Sequence, residues 1–245
     1  MRKELKMSVA DQHIVIIGGS SGIGLATAKM LAEQGAKVTI AARQREKLVQ
    51  ASVSIEQQVA YDVVNASVLE EVQAFFKRVG SFDHLVLTLG SSEGMGDFRT
   101  LDFTMLRRAF ETKYWAQLQA AQASLDYLRK DGSLTFVSAV SARTASAGAA
   151  GLATLNGALE AIIPSLALEL QPLRVNAVSP GLIDTPWWSG FPSEMREAIF
   201  AQITAATPVK RAGRAEDVAQ AIAFLIKNTF MAGTILECDG GARIR

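Results

Sequence analysis

Cysteine, histidine and tyrosine are scarce in this chain, and net charge is almost absent. One cysteine (Cys238) among 245 residues leaves no disulfide framework. Two histidines, His13 and His84, are a poor start for the nitrogen and sulfur ligand set of zinc, so no metal is expected. Lys plus Arg number 25 and Asp plus Glu 24, a net charge of +1, which gives no electrostatic footprint for nucleic acid or an anionic membrane. No uncharged apolar run reaches the length of a membrane span. Met1 to Ala10 carry Arg2, Lys3 and Lys6 but lead into no signal-type apolar core, so they read as a short flexible leader. Met7 is an alternative start, and the expected location is the cytoplasm. Tyrosines number three: Tyr61, Tyr114 and Tyr127.

What remains is an ordinary globular mixture, 49% hydrophobic and 20% charged. At this length one core can bury about three quarters of the unfolded surface, with no metal or disulfide staple. Short β-rich runs alternate with longer helical patterns. Strands are expected at His13–Ile17, Val38–Ala41, Gln58–Tyr61, His84–Leu89, Leu134–Val137, Val175–Val178 and Thr234–Glu237. Helices are expected up to about Gln34, over Arg45–Ala51, from Ser67 (capping-box spacing to Glu70) through Val79, over Thr104–Leu128, Ala149–Leu170 and Ala215–Lys227. Pro164 is expected to kink its helix. Strands separated by helices imply right-handed crossovers. The predicted fold is α/β: a single Rossmann domain over residues 11–245, with a doubly wound parallel sheet of about seven strands.

The most informative turn is Ile17-Gly18-Gly19-Ser20-Ser21-Gly22-Ile23-Gly24, between the first strand and the first helix. Gly18 permits a tight turn, Gly22 a close backbone approach to a pyrophosphate, and Gly24 close packing of helix on strand. The helix N-terminus adds a positive dipole for phosphates. After the second strand comes Ala41-Ala42-Arg43, with no acid until Glu46. A carboxylate there would take the ribose 2′-hydroxyl of NAD, whereas the Arg43 fork suits a 2′-phosphate. NADP(H) is therefore favoured over NAD(H).

These motifs and several others give the chain, from about Asp11 to Gly241, a resemblance to the short-chain dehydrogenase/reductase family. The glycine loop resembles the family's TGxxxGIG, with Ile17 for threonine. Tyr61-Asp62-Val63 resembles its Asp-Val step, and Arg174-Val-Asn-Ala-Val-Ser-Pro-Gly181 its RVNxVxPG. Gly213-Arg-Ala-Glu-Asp-Val-Ala219 and Asp239-Gly-Gly241 resemble its closing GRPEDVA and DGG. The resemblance implies cofactor contacts at Gly18, Ser20, Ser21, Gly22, Ile23, Gly24, Arg43, Asp62, Val63, Gly90, Pro180, Gly181, Ile183 and Thr185. It also implies a homodimer or homotetramer acting on a small molecule.

The resemblance fails where the family keeps its Asn-Ser-Tyr-Lys tetrad, with tyrosine and lysine spaced YxxxK on one helix face. Gly157-Ala158-Leu159 matches the family's KGAL and sets the register. Leu152 then falls at the tyrosine position, Asn156 at the lysine, Ala139 at the serine and Lys113 at the asparagine. None of the three tyrosines heads a YxxxK, and Leu87-Thr-Leu-Gly90 stands where the family writes NNAG. Leucine can neither donate a proton nor bind a carbonyl, and losing a general acid costs ~10²–10⁴-fold. Polar candidates for the gap are Lys113, Ser138 and Ser141. Lysine and asparagine have changed places, so the Lys113 ammonium is expected to reach in from the fourth helix and replace part of the missing charge. Trp187, Trp188 and Phe191 fall in the family's variable lid. Two readings follow: an NADP(H) oxidoreductase passing hydride to a quinone, flavin or iminium, or a non-catalytic NADP(H) sensor or inactive partner subunit.

Overall fold

Each β-rich run supplies consecutive apolar residues that alternate between two faces, so both faces of the sheet must be covered. The computed structural model describes residues 8–244. Its strands are β1 (His13–Ile17), β2 (Lys37–Ala42), β3 (Ala60–Val63), β4 (Phe82–Leu87), β5 (Leu128–Val137), β6 (Arg174–Pro180), β7 (Ile183–Asp184), β8 (Gly213–Arg214) and β9 (Ile235–Cys238). Seven form one sheet in the order β3-β2-β1-β4-β5-β6-β9, every ladder parallel, and β7 pairs with β8 outside it. The helices are α1 (Gly22–Glu33), α2 (Arg45–Val53), α3 (Leu69–Val79), α4 (Phe103–Ala109), α5 (Ala116–Ser124), α6 (Ala150–Glu169), α7 (Ser193–Ala206) and α8 (Ala215–Lys227).

The alternation divides the core. Val15, Ile17, Leu85, Leu87, Leu134 and Phe136 face one layer, with Phe75, Phe76, Ala116, Ala120, Leu159 and Ile163 from α3, α5 and α6. Ile14, Ile16, Ile40, Val86 and Val178 face the other, with Leu31, Leu48, Ile222 and Leu225 from α1, α2 and α8. The order reverses between β1 and β4, which opens a crevice at the carboxyl ends of the strands.

Several local expectations change. Val9 is 1% exposed and the Asp11 N–H donates to the Gly35 carbonyl, so residues 8–10 belong to the domain rather than to a leader. Met1–Met7 lie outside the described residues. The Ser67–Glu70 capping box does not form: α3 starts at Leu69, and Glu71 instead accepts from the Asn65 N–H. β3 begins two residues late and β5 six residues early, because backbone pairing with β2 and β4 sets those limits rather than local propensity. The helix expected over Thr104–Leu128 is divided by a π-helical stretch, Phe110–Trp115. α6 continues through Pro164 as a single helix. By length and composition α6 could cross a membrane, with a mean hydropathy of 1.4. Here it carries Glu160 and packs Leu155, Leu159 and Ile163 inward.

Candidate active site

The half of the crevice where a cofactor is expected is built by the turn after β1. Gly18 has φ 95°, which L side chains avoid, and its N–H donates to Ala41 across the sheet at 2.8 Å. A Cβ on Gly24 would collide with the Gly18 carbonyl oxygen, so only glycine lets α1 start this close to the strand. Ser21 is the N-cap of α1, yet its side chain makes no capping bond, and the first turn holds no acid. The N-terminal N–H groups and dipole of α1 are thus left for an external anion, which suits a dinucleotide pyrophosphate. Ser20 and Ile23 lie half-buried on the same turn, and Thr185 faces Gly22 across it: a Cβ on Gly22 would lie 3.4 Å from the Thr185 Cβ.

The other expected cofactor residues sit along this edge. Arg43 follows β2, exposed and without a carboxylate partner among the described residues. Asp62 and Val63 end β3; the Asp62 carboxylate accepts from the Val63 N–H at 2.8 Å and pairs with Arg78 at 2.8 Å. Gly90 is exposed beyond β4, facing Trp187: a Cβ on Gly90 would lie 3.5 Å from the indole Cδ1. Pro180 ends β6 and Gly181 packs on the Asp239 backbone. Ile183 is buried and its carbonyl accepts from the Trp188 indole at 3.0 Å. Trp187, Trp188 and Phe191 form one aromatic cluster, with ring centroids 4.7–5.3 Å apart.

A second polar cluster, at the family's tetrad positions, lies between the π-helical stretch, the carboxyl end of β5 and the first turns of α6. Lys113 is the one buried residue of Phe110–Trp115, only 6% exposed, because the wider turn directs it inward. Its Nζ donates to Asn156 Oδ1 at 2.6 Å and to the Ser138 carbonyl at 3.4 Å. The Asn156 amide is fixed from its other end, donating to Ser141 Oγ at 3.0 Å and to the Leu152 carbonyl at 2.9 Å. Lys113, Asn156, Ser138, Ser141 and Leu152 are therefore brought into one cluster, with Ala139 between the two serines. Burial pushes the Lys113 ammonium down to about 8, against the pull of the Glu160 carboxylate.

Sequence reading missed the rest of this cluster. Glu160, 7% exposed, accepts from Ser138 Oγ at 2.7 Å and from Arg143 Nε at 2.7 Å. Arg143 also pairs with Glu237 on β9, which pairs with Arg243 near the chain end. The signal was available: Glu160 is the one acid of α6 before its last residue, Glu169, in an otherwise apolar helix, and a buried carboxylate needs partners. The described residues hold no group of three or more His, Cys, Asp and Glu side chains placed to bind a metal. A pocket of about 320 Å³ lies elsewhere, lined by Phe103, Leu106, Phe110 and Trp115 on α4 and the stretch after it.

Sheet order, glycine turn and crevice define a nucleotide-binding fold of the Rossmann type. Comparison with known proteins narrows this. Residues 18–243 match a family model described as "Enoyl-(Acyl carrier protein) reductase". The chain is 32% identical to a short-chain dehydrogenase/reductase of Stachybotrys chlorohalonatus, over 96% of its own length and 98% of the relative's. It is 31% identical to a cis-4-hydroxycyclohexanecarboxylate dehydrogenase of Sinomonas cyclohexanicum, over 95% and 96% of the two chains. A small-chain dehydrogenase crystallised with NADPH superposes with a TM-score of 0.84 at 33% identity, covering 96% of this chain and all of that one. The chain belongs to the short-chain dehydrogenase/reductase family.

Proposed function

We propose that this chain is an NADP(H)-binding oxidoreductase whose hydride acceptor requires no tyrosine proton donor, of the quinone, flavin or iminium class. The observation that carries this reading is the 2.6 Å bond between Lys113 and Asn156. By family register these two residues have exchanged positions, yet the exchange keeps one ammonium at the same junction of helices. A buried cation that is hydrogen-bonded there is costly to maintain, and such groups concentrate at working sites.

Bound NADPH supplies the hydride. The pyrophosphate would be held by Ser20, Ser21, Gly22 and Ile23 at the start of α1, and the adenosine 2′-phosphate by Arg43. Asp62 and Val63 would border the adenine, Ile183 and Thr185 the nicotinamide, and Gly90, Pro180 and Gly181 would line the cofactor between them. Lys113 offsets negative charge that develops beside it. Leu152 and Ala139 make the wall apolar and keep water from competing for the acceptor. Support for NADP(H) over NAD(H) comes from the unpaired Arg43 and from the NADPH-bound structural neighbour.

Leu152 and Ala139 also favour a second reading, a non-catalytic NADP(H) sensor or inactive partner subunit. The two separate when the protein is mixed with NADPH and loss of reduced-nicotinamide absorbance is followed across ketones, quinones, flavins and iminium ions. Oxidation by the last three classes, with ketones slow, is expected. Tight binding with no oxidation establishes the sensor, and failure to bind either nicotinamide cofactor overturns both. The reading also includes self-association: exposed Phe103, Met105 and Trp115 around the α4 pocket suit a second copy of the chain.

A further inference from the structure

Three polar groups gather beside Leu152 and Ala139, at the positions where the family keeps its tyrosine and serine, and their hydrogen bonds separate them. Ser138 is committed: the residue is 3% exposed, and its hydroxyl has only one proton, which faces Glu160 at 2.7 Å and the Val178 carbonyl at 3.3 Å. Lys113 is buried, with two of its N–H groups turned to Asn156 and Ser138. Ser141 differs. Its oxygen accepts from Asn156 Nδ2 at 3.0 Å, which fixes its position, while its own proton finds nothing better than the Leu152 carbonyl at 3.5 Å. That distance is the outer limit of a hydrogen bond. Ser141 is also half-buried rather than closed off. A hydroxyl that is held by its oxygen and left with a free proton is a donor waiting for an acceptor.

We propose that Ser141 donates this hydrogen bond to the oxygen of a planar apolar ring, the quinone or phenolic oxygen of an aromatic acceptor, with Asn156 and Lys113 as its positioning residues. The inference rests on the proposed hydride-transfer function. The ring is specified by the surroundings: Leu152 and Ala139 have apolar side chains, and Trp187, packed against Phe191, stands beside Gly90 past the end of β4. Aromatic faces of this kind favour stacked or edge-on planar partners. Lys113 acts at one remove. It fixes Asn156 Oδ1, which turns the amide nitrogen toward Ser141.

The test is equilibrium dialysis of 1-naphthol and naphthalene against the protein saturated with NADP⁺. These probes share a ring system and differ by one hydroxyl oxygen, so the readout does not depend on turnover. Wild type is expected to prefer 1-naphthol by about three- to tenfold, the range of one neutral hydrogen bond. Ser141→Ala is expected to abolish the preference and leave naphthalene unchanged. Ser141→Thr, which keeps the hydroxyl, restores it, and Ser138→Ala leaves it in place. Equal binding of the two probes by wild type, or an undiminished preference in Ser141→Ala, overturns the proposal. The parent reading is judged separately, by whether NADP⁺ binds at all.

Discussion

The Lys113–Asn156 pair can be tested by a double-mutant cycle with Lys113→Met, Asn156→Leu and the two together. Asn156→Leu leaves a buried ammonium with one long contact, to the Ser138 carbonyl at 3.4 Å. Losing a hydrogen bond to a charged group should cost about 1.5–3 kcal/mol. Lys113→Met removes the desolvated cation but strands the Asn156 Oδ1 acceptor, a penalty of about 1–3 kcal/mol. The double variant replaces both partners by apolar groups of similar shape and should fall near wild type, so the coupling should approach the sum of the two single losses, about 2.5–6 kcal/mol. The pH dependence gives a second reading of the same pair. Lys113 titrates at about 8 in the folded chain and at 10.5 when unperturbed. Between those values the unfolded chain holds a proton that the folded chain has released, so stability must rise with pH across that window. The full rise is about 3 kcal/mol, and at neutral pH the folded protein bears the whole cost of the buried charge. Urea midpoints for the four proteins, each measured from neutral to alkaline pH, supply both numbers. Additive single variants, or a rise as large in Lys113→Met as in wild type, would refute the buried pair.

Other consequences are independent of that pair. His84 is held down to about 4, from 6.5, first by burial and then by the Arg174 charge. The unfolded chain therefore takes up a proton first as pH falls, and about 3 kcal/mol of stability should be lost between 6.5 and 4. In His84→Gln that part of the acid loss disappears from the urea midpoints, and an unchanged slope would contradict the assignment. Arg43→Ala should weaken NADPH by about 10- to 100-fold in a direct binding titration while leaving NADH unchanged, the value of one charge-assisted contact. Equal losses for both cofactors would remove Arg43 from the 2′-phosphate. Light scattering should show dimers or tetramers for wild type and monomers for Phe103→Glu with Trp115→Glu; a monomeric wild type would discard self-association.

Fold and cofactor turn were open to sequence reading because they depend on local rules. Ile14 to Ile17 alternate between two buried faces, and Gly18 and Gly24 are required by backbone geometry that any reader of the turn can state. The chemical centre was readable only in part. The exchange of Lys113 and Asn156 followed from register, but their hydrogen bond depends on a π-helical stretch that no periodicity in Phe110–Trp115 announces. Arg143, Glu160 and Glu237 were invisible as a group because they lie up to 94 positions apart and are joined only by tertiary packing, with α6 against β6 and the turn after β5. Ser67 failed as a cap for the opposite reason: its local spacing to Glu70 was right, but its hydroxyl donates instead to the Glu111 carbonyl, 44 positions away, at 3.2 Å. Long-range contacts decide such competitions, and a local pattern cannot show them.

Hydride transfer without a tyrosine can be measured directly, by following single-turnover oxidation of NADPH carrying deuterium at the transferred position, with a naphthoquinone as acceptor. An oxidation that requires the protein and is slowed by the deuterium, in a chain whose position 152 is leucine, is the predicted result. Tight NADPH binding with no oxidation, or oxidation at the same rate for both isotopes and for Lys113→Met, would contradict it.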